Sequence, residues 1–476
     1  MSSNSMLLNL KMKHLTNIPA WIRRRVFKRK HIDDLPVELL VEIFLCCLPT
    51  GTFPRPSVQM APILLGRVCS FWRSVALDTP QLWAQIMITF KPNFQTARLI
   101  ENFHVFGIRE WLRRSGTLPL SFVIGNHNYN LIFPLPPPLT LTLREQAHRW
   151  KSVSVETDCS CIDHILQILW TPGTTPMLRD LHFFNEHSFK NYMPIPCATQ
   201  LRSFYLRSMD NPFSIDGRFH ALRELRIGPC KSYGVYSTIF TQFPSLEILE
   251  IASSPSFAPH EMATVVHTLK HLHTFIFVGR GDTGEYAEPW PLDVLDTPAL
   301  NSLAITIWKR GDRQCGTHLS NFLMRCGGQL QRLKVSGYFV TCDNLIDSIR
   351  HTPRLEALCT EHIVLNGDLT TLCRIGTLAH IDLLIPGLKP RFADIRTVLG
   401  AVWAILSRWK GSRLNEHAGS MSVSVIRVPR YFLSEVLKDQ VVKKCIRQGL
   451  RVDTVPPEKE SWWMSQMMFI DIMSPY

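Results

Sequence analysis

The chain has 476 residues, 45% of them hydrophobic and 19% charged, with a formal net charge of +13 at pH 7. That length exceeds what one hydrophobic core usually organises, so more than one structural unit is expected, and no run approaches the roughly 18 to 20 apolar residues of a membrane helix. Thirteen cysteines are scattered without a Cys-x-x-Cys pair, which reads as reduced, mostly buried thiols and excludes a disulfide framework.

Residues 1–30 hold eight Lys or Arg and no acid, so they supply eight of the thirteen charges and leave +5 for the remainder. The stretch Arg23-Arg24-Arg25-Val26-Phe27-Lys28-Arg29-Lys30 puts six cations in eight residues. Such density suits nuclear import, an acidic partner or a solvated tail, and a disordered tail is the expectation. Residues 1–18 lack the apolar core and cleavage site of a secretory signal. A cytoplasmic or nuclear address follows as an expectation. No aromatic-interleaved basic stripe recurs downstream, so the charge does not argue for nucleic acid.

Leu35-Pro36-Val37-Glu38-Leu39-Leu40-Val41-Glu42-Ile43-Phe44 comes next, followed by Leu64-Leu65-Gly66-Arg67-Val68-Cys69-Ser70-Phe71-Trp72-Arg73. Asp33 and Asp34 lie near the positive end of a predicted helix with Pro36 at its first position, where a missing N–H costs nothing. Leu39, Leu40, Ile43, Phe44 and Cys47 recur at helical spacing. The band is wide for so short a helix. One stripe can be buried against the following helices while a second remains for a partner.

These residues, with Ala76, Leu82 and Trp83, resemble an F-box, of the kind found in large fungal families. The resemblance covers residues 35–83. It implies a three-helix module that docks on the Skp-type adaptor of a cullin-RING (SCF-type) ubiquitin ligase while the rest of the chain captures a protein substrate. It places Leu35, Pro36, Leu39, Leu40, Ile43 and Phe44 at the adaptor interface, with Val68, Cys69 and Trp72 nearby. Residues 46–62 depart from the family, because Pro49, Pro54, Pro56 and Pro62 make the link between the first two helices longer and more broken.

A helix is predicted from about residue 96 to 114, closed by Ser115-Gly116, and Leu120, Phe122 and Ile124 alternate as in a half-buried strand. A Pro-rich stretch at residues 133–138 reads as a stiff loop. Val153 and Val155 then alternate again.

From there the chain repeats itself. Leu178-Arg179-Asp180-Leu181-His182-Phe183, Leu201-Arg202-Ser203-Phe204-Tyr205-Leu206, Leu222-Arg223-Glu224-Leu225-Arg226-Ile227 and Leu246-Glu247-Ile248-Leu249-Glu250-Ile251 share Leu-x-x-apolar-x-apolar. Copies recur from Leu272, Leu300, Leu330, Leu355 (truncated at Leu358) and Leu378, the leading leucines being 23, 21, 24, 26, 28, 30, 25 and 23 residues apart. The period resembles leucine-rich repeats, in which a short strand and its return segment bury their apolar face only when neighbours stack. Pro176, Pro244, Pro298 and Pro353, two residues before a leading leucine, punctuate strand entry. The residue that many leucine-rich repeats place after the strand is irregular here, so a degenerate array with uneven return segments is expected.

Ile395, Val398, Leu399, Val402, Ile405, Leu406 and Trp409 fall on one helical face, with Gly411 as a stop. A strand at residues 423–428 and a second helix at about 432–447 suit one more repeat and a cap. Trp462, Trp463 and Met464 begin an aromatic and methionine-rich tail that is read as a packing strap.

Signatures of chemistry are isolated matches. Gly279-Arg280-Gly281-Asp282-Thr283-Gly284 spells Gly-x-Gly-x-x-Gly, but Pro289 and Pro291 deny it the helix that a phosphate site needs. His260-Glu261 lacks a second histidine at zinc-helix spacing, and Cys159-Ser160-Cys161 lacks further ligands. Asp282-Thr283-Gly284 occurs once where an aspartic protease needs two carboxylates. The expectation is therefore an α+β or α/β solenoid protein without catalysis, metal or cofactor. It has a tail at 1–30, an F-box at 31–85, a bridge at 86–150, leucine-rich-repeat-like units at 151–390 and a C-terminal repeat and cap at 391–476. Its expected partners are a Skp-type adaptor, through it a cullin scaffold, and a protein substrate, with no membrane. The alternative is an interaction scaffold without ligase association.

Overall fold

The computed structural model describes residues 35–89, 97–125, 135–156, 159–169, 171, 173–184, 199–207, 220–230, 239–253, 266–279, 291–307, 315–337, 342–361, 377–384, 394–407, 409 and 423–455. The basic run 23–30, His260-Glu261, Asp282 with its glycine loop, Gly411 and the tail from Trp462 lie outside them. The chain divides into two compact units, Met1–Val123 and Ile124–Tyr476, so the boundary falls inside the stretch read as a bridge.

In the first unit, α1 (Val37–Cys46) follows Pro36, which is the N-cap and not the first helical residue. Its φ of −51° and ψ of 140° are non-helical, yet its carbonyl accepts from Leu40 N at 3.1 Å and so opens the helical ladder. Residues 47–62 form no helix, and the Pro54 carbonyl accepts from Met87 N at 2.8 Å, which ties this link to β1 (Gln85–Thr89). A 3-10 turn (Leu65–Arg67) leads to α2 (Ser70–Leu77), and another (Pro80–Trp83) leads into β1.

Helix α3 (Ala97–Arg114) and β2 (Leu120–Gly125) match the sequence expectation, and Ser121 N donates to the Ala84 carbonyl at 3.0 Å. The core of this unit is built on tryptophans. Trp83 and Trp111 meet edge to face with centroids 4.9 Å apart, and their indole N–H groups donate to the Ala76 and Gln85 carbonyls at 2.8 and 3.1 Å. Two large apolar bodies are thus buried with their polar atoms satisfied.

The second unit is mixed α/β around a long parallel sheet. Helix α4 (Pro137–Glu145) is followed by β3 (Trp150–Glu156) and α5 (Cys159–Leu169). Pro137 and Pro138 thus start a helix where a loop was expected, because a first turn needs no N–H from them. The strands β4 (Asp180–Phe184), β5 (Ser203–Arg207), β6 (Glu224–Cys230) and β7 (Ile248–Ser253) come next. Then come β8 (His267–Thr268), β9 (Thr274–Gly279), β10 (Leu295–Asp296) and β11 (Ser302–Ile307).

The rest of the unit comprises α6 (Cys315–Cys326), β12 (Arg332–Gly337), α7 (Cys342–Ile349), β13 (Ala357–Glu361) and β14 (His380–Leu384), then α8 (Asp394–Leu406) and β15 (Val425–Val428). Helices α9 (Arg430–Lys438) and α10 (Gln440–Arg447) precede β16 (Arg451–Thr454). From β3 to β16 the strands of the large sheet stand in chain order and every pair is parallel, while β8 and β10 form a separate parallel pair.

Each leading leucine sits two residues before a strand and is buried. The next apolar positions, Leu181, Phe204, Leu225, Leu249, Phe275, Leu303, Leu333, Leu358 and Ile381, align in register as one buried row. Burying such a side chain fully contributes about 1.5–3 kcal/mol, and only a stacked neighbour can supply that burial.

Trp150, Val153 and Val155 occupy the same positions on β3, and Val423, Ile426 and Val428 do so on β15. In the truncated copy the third position is Thr360, buried with no partner for its hydroxyl among the described residues. Glycine is required at Gly337, where φ is 111° and a Cβ would stand 1.8 Å from the Ile307 carbonyl oxygen. The second C-terminal helix is two helices, because Asp439 has an extended ψ of 135° and its carboxylate caps α10 by accepting from Val441 N and Val442 N at 2.9 and 3.0 Å.

Candidate docking surfaces

Helix α1 is apolar on two adjoining stripes, and the unit buries one of them. Leu40 and Phe44 are fully buried, and the Phe44 ring packs against Trp72 with centroids 4.9 Å apart. Leu39 and Ile43, each one residue back, remain 53% and 41% exposed, and Pro36 and Val37 extend the same surface to the helix start. Val68 is 57% exposed, and Leu64 and Leu77 are also open.

The residues singled out by the F-box resemblance therefore divide. Pro36, Leu39, Ile43 and Val68 are exposed, Leu35, Cys69 and Trp72 are half-buried, and Leu40 and Phe44 are core. Cys69 has a structural task, its sulfur accepting from Trp72 N at 3.4 Å as the N-cap of α2. The Trp72 indole N–H is buried without an acceptor among the described residues.

The second surface is the sheet face opposite the leucine row. Register places His182, Tyr205, Arg226, Glu250, Ile276, Ala304, Lys334, Cys359, Asp382 and Arg427 in one line across the strands. The line starts as a polar stack. His182 lies flat on Tyr205, with centroids 4.0 Å apart and planes 10° from parallel. Tyr205 donates its hydroxyl to Glu224 at 2.5 Å, and Arg226 holds Glu224 at 2.7 Å and Glu250 at 2.8 Å. Farther along, Arg427 donates to both Asp382 oxygens at 3.3 and 3.4 Å.

Burial governs the ionisation of His182, Asp382 and Cys359. It lowers His182 to about 4, and it raises Asp382 to about 6 despite the opposing charge of Arg427. It also pushes the Cys359 thiol far up, so that sulfur is protonated and unreactive. From Tyr205 to Asp382 every member of this line is at least nine-tenths buried. It is a packed layer and offers no open binding face there. Repeat spacing made the leucines visible, but this line was missed; the residue between each apolar pair was the available signal.

Among the described residues no group of three His, Cys, Asp or Glu could hold a metal ion, and no helix is long and apolar enough to cross a membrane. Cys159 and Cys161 lie at the start of α5, and Gly279 ends β9.

No family model matches the chain, and no curated protein matches it. Among solved structures, the chain is similar to one described as the crystal structure of the Rad7 and Elc1 complex in yeast. The TM-score is 0.35 at 12% identity, with 90% of this chain and 94% of that chain covered.

Proposed function

We propose that this chain is the substrate-recognition subunit of a cullin-RING ubiquitin ligase, with residues 31–85 as an F-box that docks a Skp-type adaptor. The second unit is, on this reading, a degenerate leucine-rich-repeat solenoid that holds a protein substrate. The chain does no chemistry. Holding both partners raises the effective concentration of substrate lysines near a ubiquitin-charged enzyme.

The observation that carries the reading is the division of α1. Leu40 and Phe44 anchor the helix while Leu39 and Ile43, on the adjoining stripe, are left in solvent with Val68. Contiguous exposed apolar side chains on a small helical unit favour a partner, whose docking removes them from water. The buried position of Phe44 dictates the test, because a charge there would unfold the unit whether or not a partner exists. Co-expression with a Skp-type adaptor should yield a complex with the wild type and none with Leu39→Asp, Ile43→Asp, while circular dichroism shows the variant folded. Retained binding by the variant sinks the F-box assignment. A folded wild type that never binds establishes the interaction scaffold instead.

A further inference from the structure

The first unit holds a cavity of about 220 Å³ beside α2. Ala76, Leu77 and Trp83 give it an apolar wall, and Arg67, Arg73 and Arg114 are the charged residues that border it. No carboxylate is among its lining residues. The cations are held in place by the fold. Arg73 Nε donates to the Gly66 carbonyl at 2.7 Å, Arg67 to the Val58 carbonyl at 3.3 Å, and Arg114 lies over the Trp83 ring at 4.6 Å from its centroid.

Among the described residues their charge is under-compensated. Glu110 meets Arg114 at 2.9 Å but is shared with Arg113 at 2.7 Å, so one carboxylate serves two arginines. Arg67 and Arg73 are given carbonyl acceptors, which orient a guanidinium without neutralising it. Planar guanidinium groups with free donors match the two oxygens of a carboxylate. An apolar wall beside them rewards a ligand that carries a hydrocarbon body. The volume limits that body to a few carbons, since a water occupies about 30 Å³.

We propose that this cavity is a binding site for a small organic anion, a carboxylate joined to a short apolar body. The test is calorimetric titration of the full chain with three probes: 4-methylpentanoate, 4-methylpentanol, which has the same body without the charge, and inorganic phosphate, which has charge without the body. The carboxylate should bind saturably with a Kd on the order of 1 mM or tighter, and the other two at least tenfold more weakly. Arg73→Gln and Arg67→Gln, both at exposed positions, should each weaken the carboxylate at least tenfold. Leu77→Glu, which brings a carboxylate to the wall, should abolish binding. Equal binding of phosphate or of the alcohol, affinity unchanged in the arginine variants, or absence of saturable heat with the carboxylate would each overturn the proposal.

Discussion

Helix α1 and strand β11 are both dense in apolar residues, yet they meet opposite fates. Every residue of β11 from Ser302 to Ile307 is buried, whereas α1 keeps Leu39 and Ile43 in solvent. The strand has β9 and β12 on its two sides, each bringing the same pattern in register. The helix is a single copy. Repetition supplies covering surface from within the chain, while a lone amphipathic element with more than one apolar stripe must obtain it from elsewhere.

The sharpest way to break this contrast is to charge each stripe of α1 separately. Leu39→Asp, Ile43→Asp should remove adaptor binding by more than about a hundredfold with the fold intact, as pull-down and circular dichroism would record. Phe44→Asp should lose both binding and fold, since an unpaired buried charge cannot be accommodated. If both variants behave alike, the two stripes are not distinct.

Truncation probes the same difference in stability. Leu303→Ala, in the buried row, should cost about 2–5 kcal/mol, read as accelerated amide exchange in β9, β11 and β12. Leu39→Ala should stay within about 0.5 kcal/mol of wild type in exchange from the first unit.

The polar line on the opposite face of the sheet gives a pH signature. Asp382 is raised from 3.8 to about 6, so the folded state holds its proton more tightly and this residue's contribution falls as pH climbs through that window. His182 is lowered from 6.5 to about 4, so the unfolded state takes up its proton first and the contribution rises with pH across nearly the same range. The two oppose each other. Relative to wild type, Asp382→Asn should make stability increase more steeply from pH 4 to 6, and His182→Gln should make it decrease, each by on the order of 2 kcal/mol over the window. Chemical denaturation at a series of pH values measures both slopes, and parallel slopes in all three proteins would contradict the burial of these groups.

The smallest effect belongs to Asp439. Removing its cap by Asp439→Ala should cost about 1 kcal/mol, visible as faster exchange of the Val441 and Val442 amides.

Much of this was legible in the chain, and the reason is local. A leucine followed three and five residues later by apolar side chains marks a strand entry without any knowledge of its neighbours, and the structure starts a strand two residues after each leading leucine. The two stripes of α1 were legible from helical spacing alone. Other features depended on conformation or contact. Asp439 looks like an ordinary residue in a continuous helical pattern until its extended backbone and capping bonds are seen. Pro137 and Pro138 read as a loop because composition does not reveal whether the chain beyond a proline turns into a helix. The pairing of Arg226 with Glu250 spans 24 residues and becomes apparent only when the strands are laid in register. Trp150 fills a leucine position on β3, and a repeat search keyed on leucine passes over it.

The leading leucines are separated by anything from 21 to 30 residues, yet the strands they introduce stay in step. Length is therefore a free variable of the connecting segments and a fixed quantity in the sheet. Because each strand finds its partners one unit away in the chain, closing a longer connection by a few residues adds only a fraction of a kcal/mol. Assembly can spread stepwise from any point along the array, so an insertion between two units would slow one step of that spread without erasing the order of the rest.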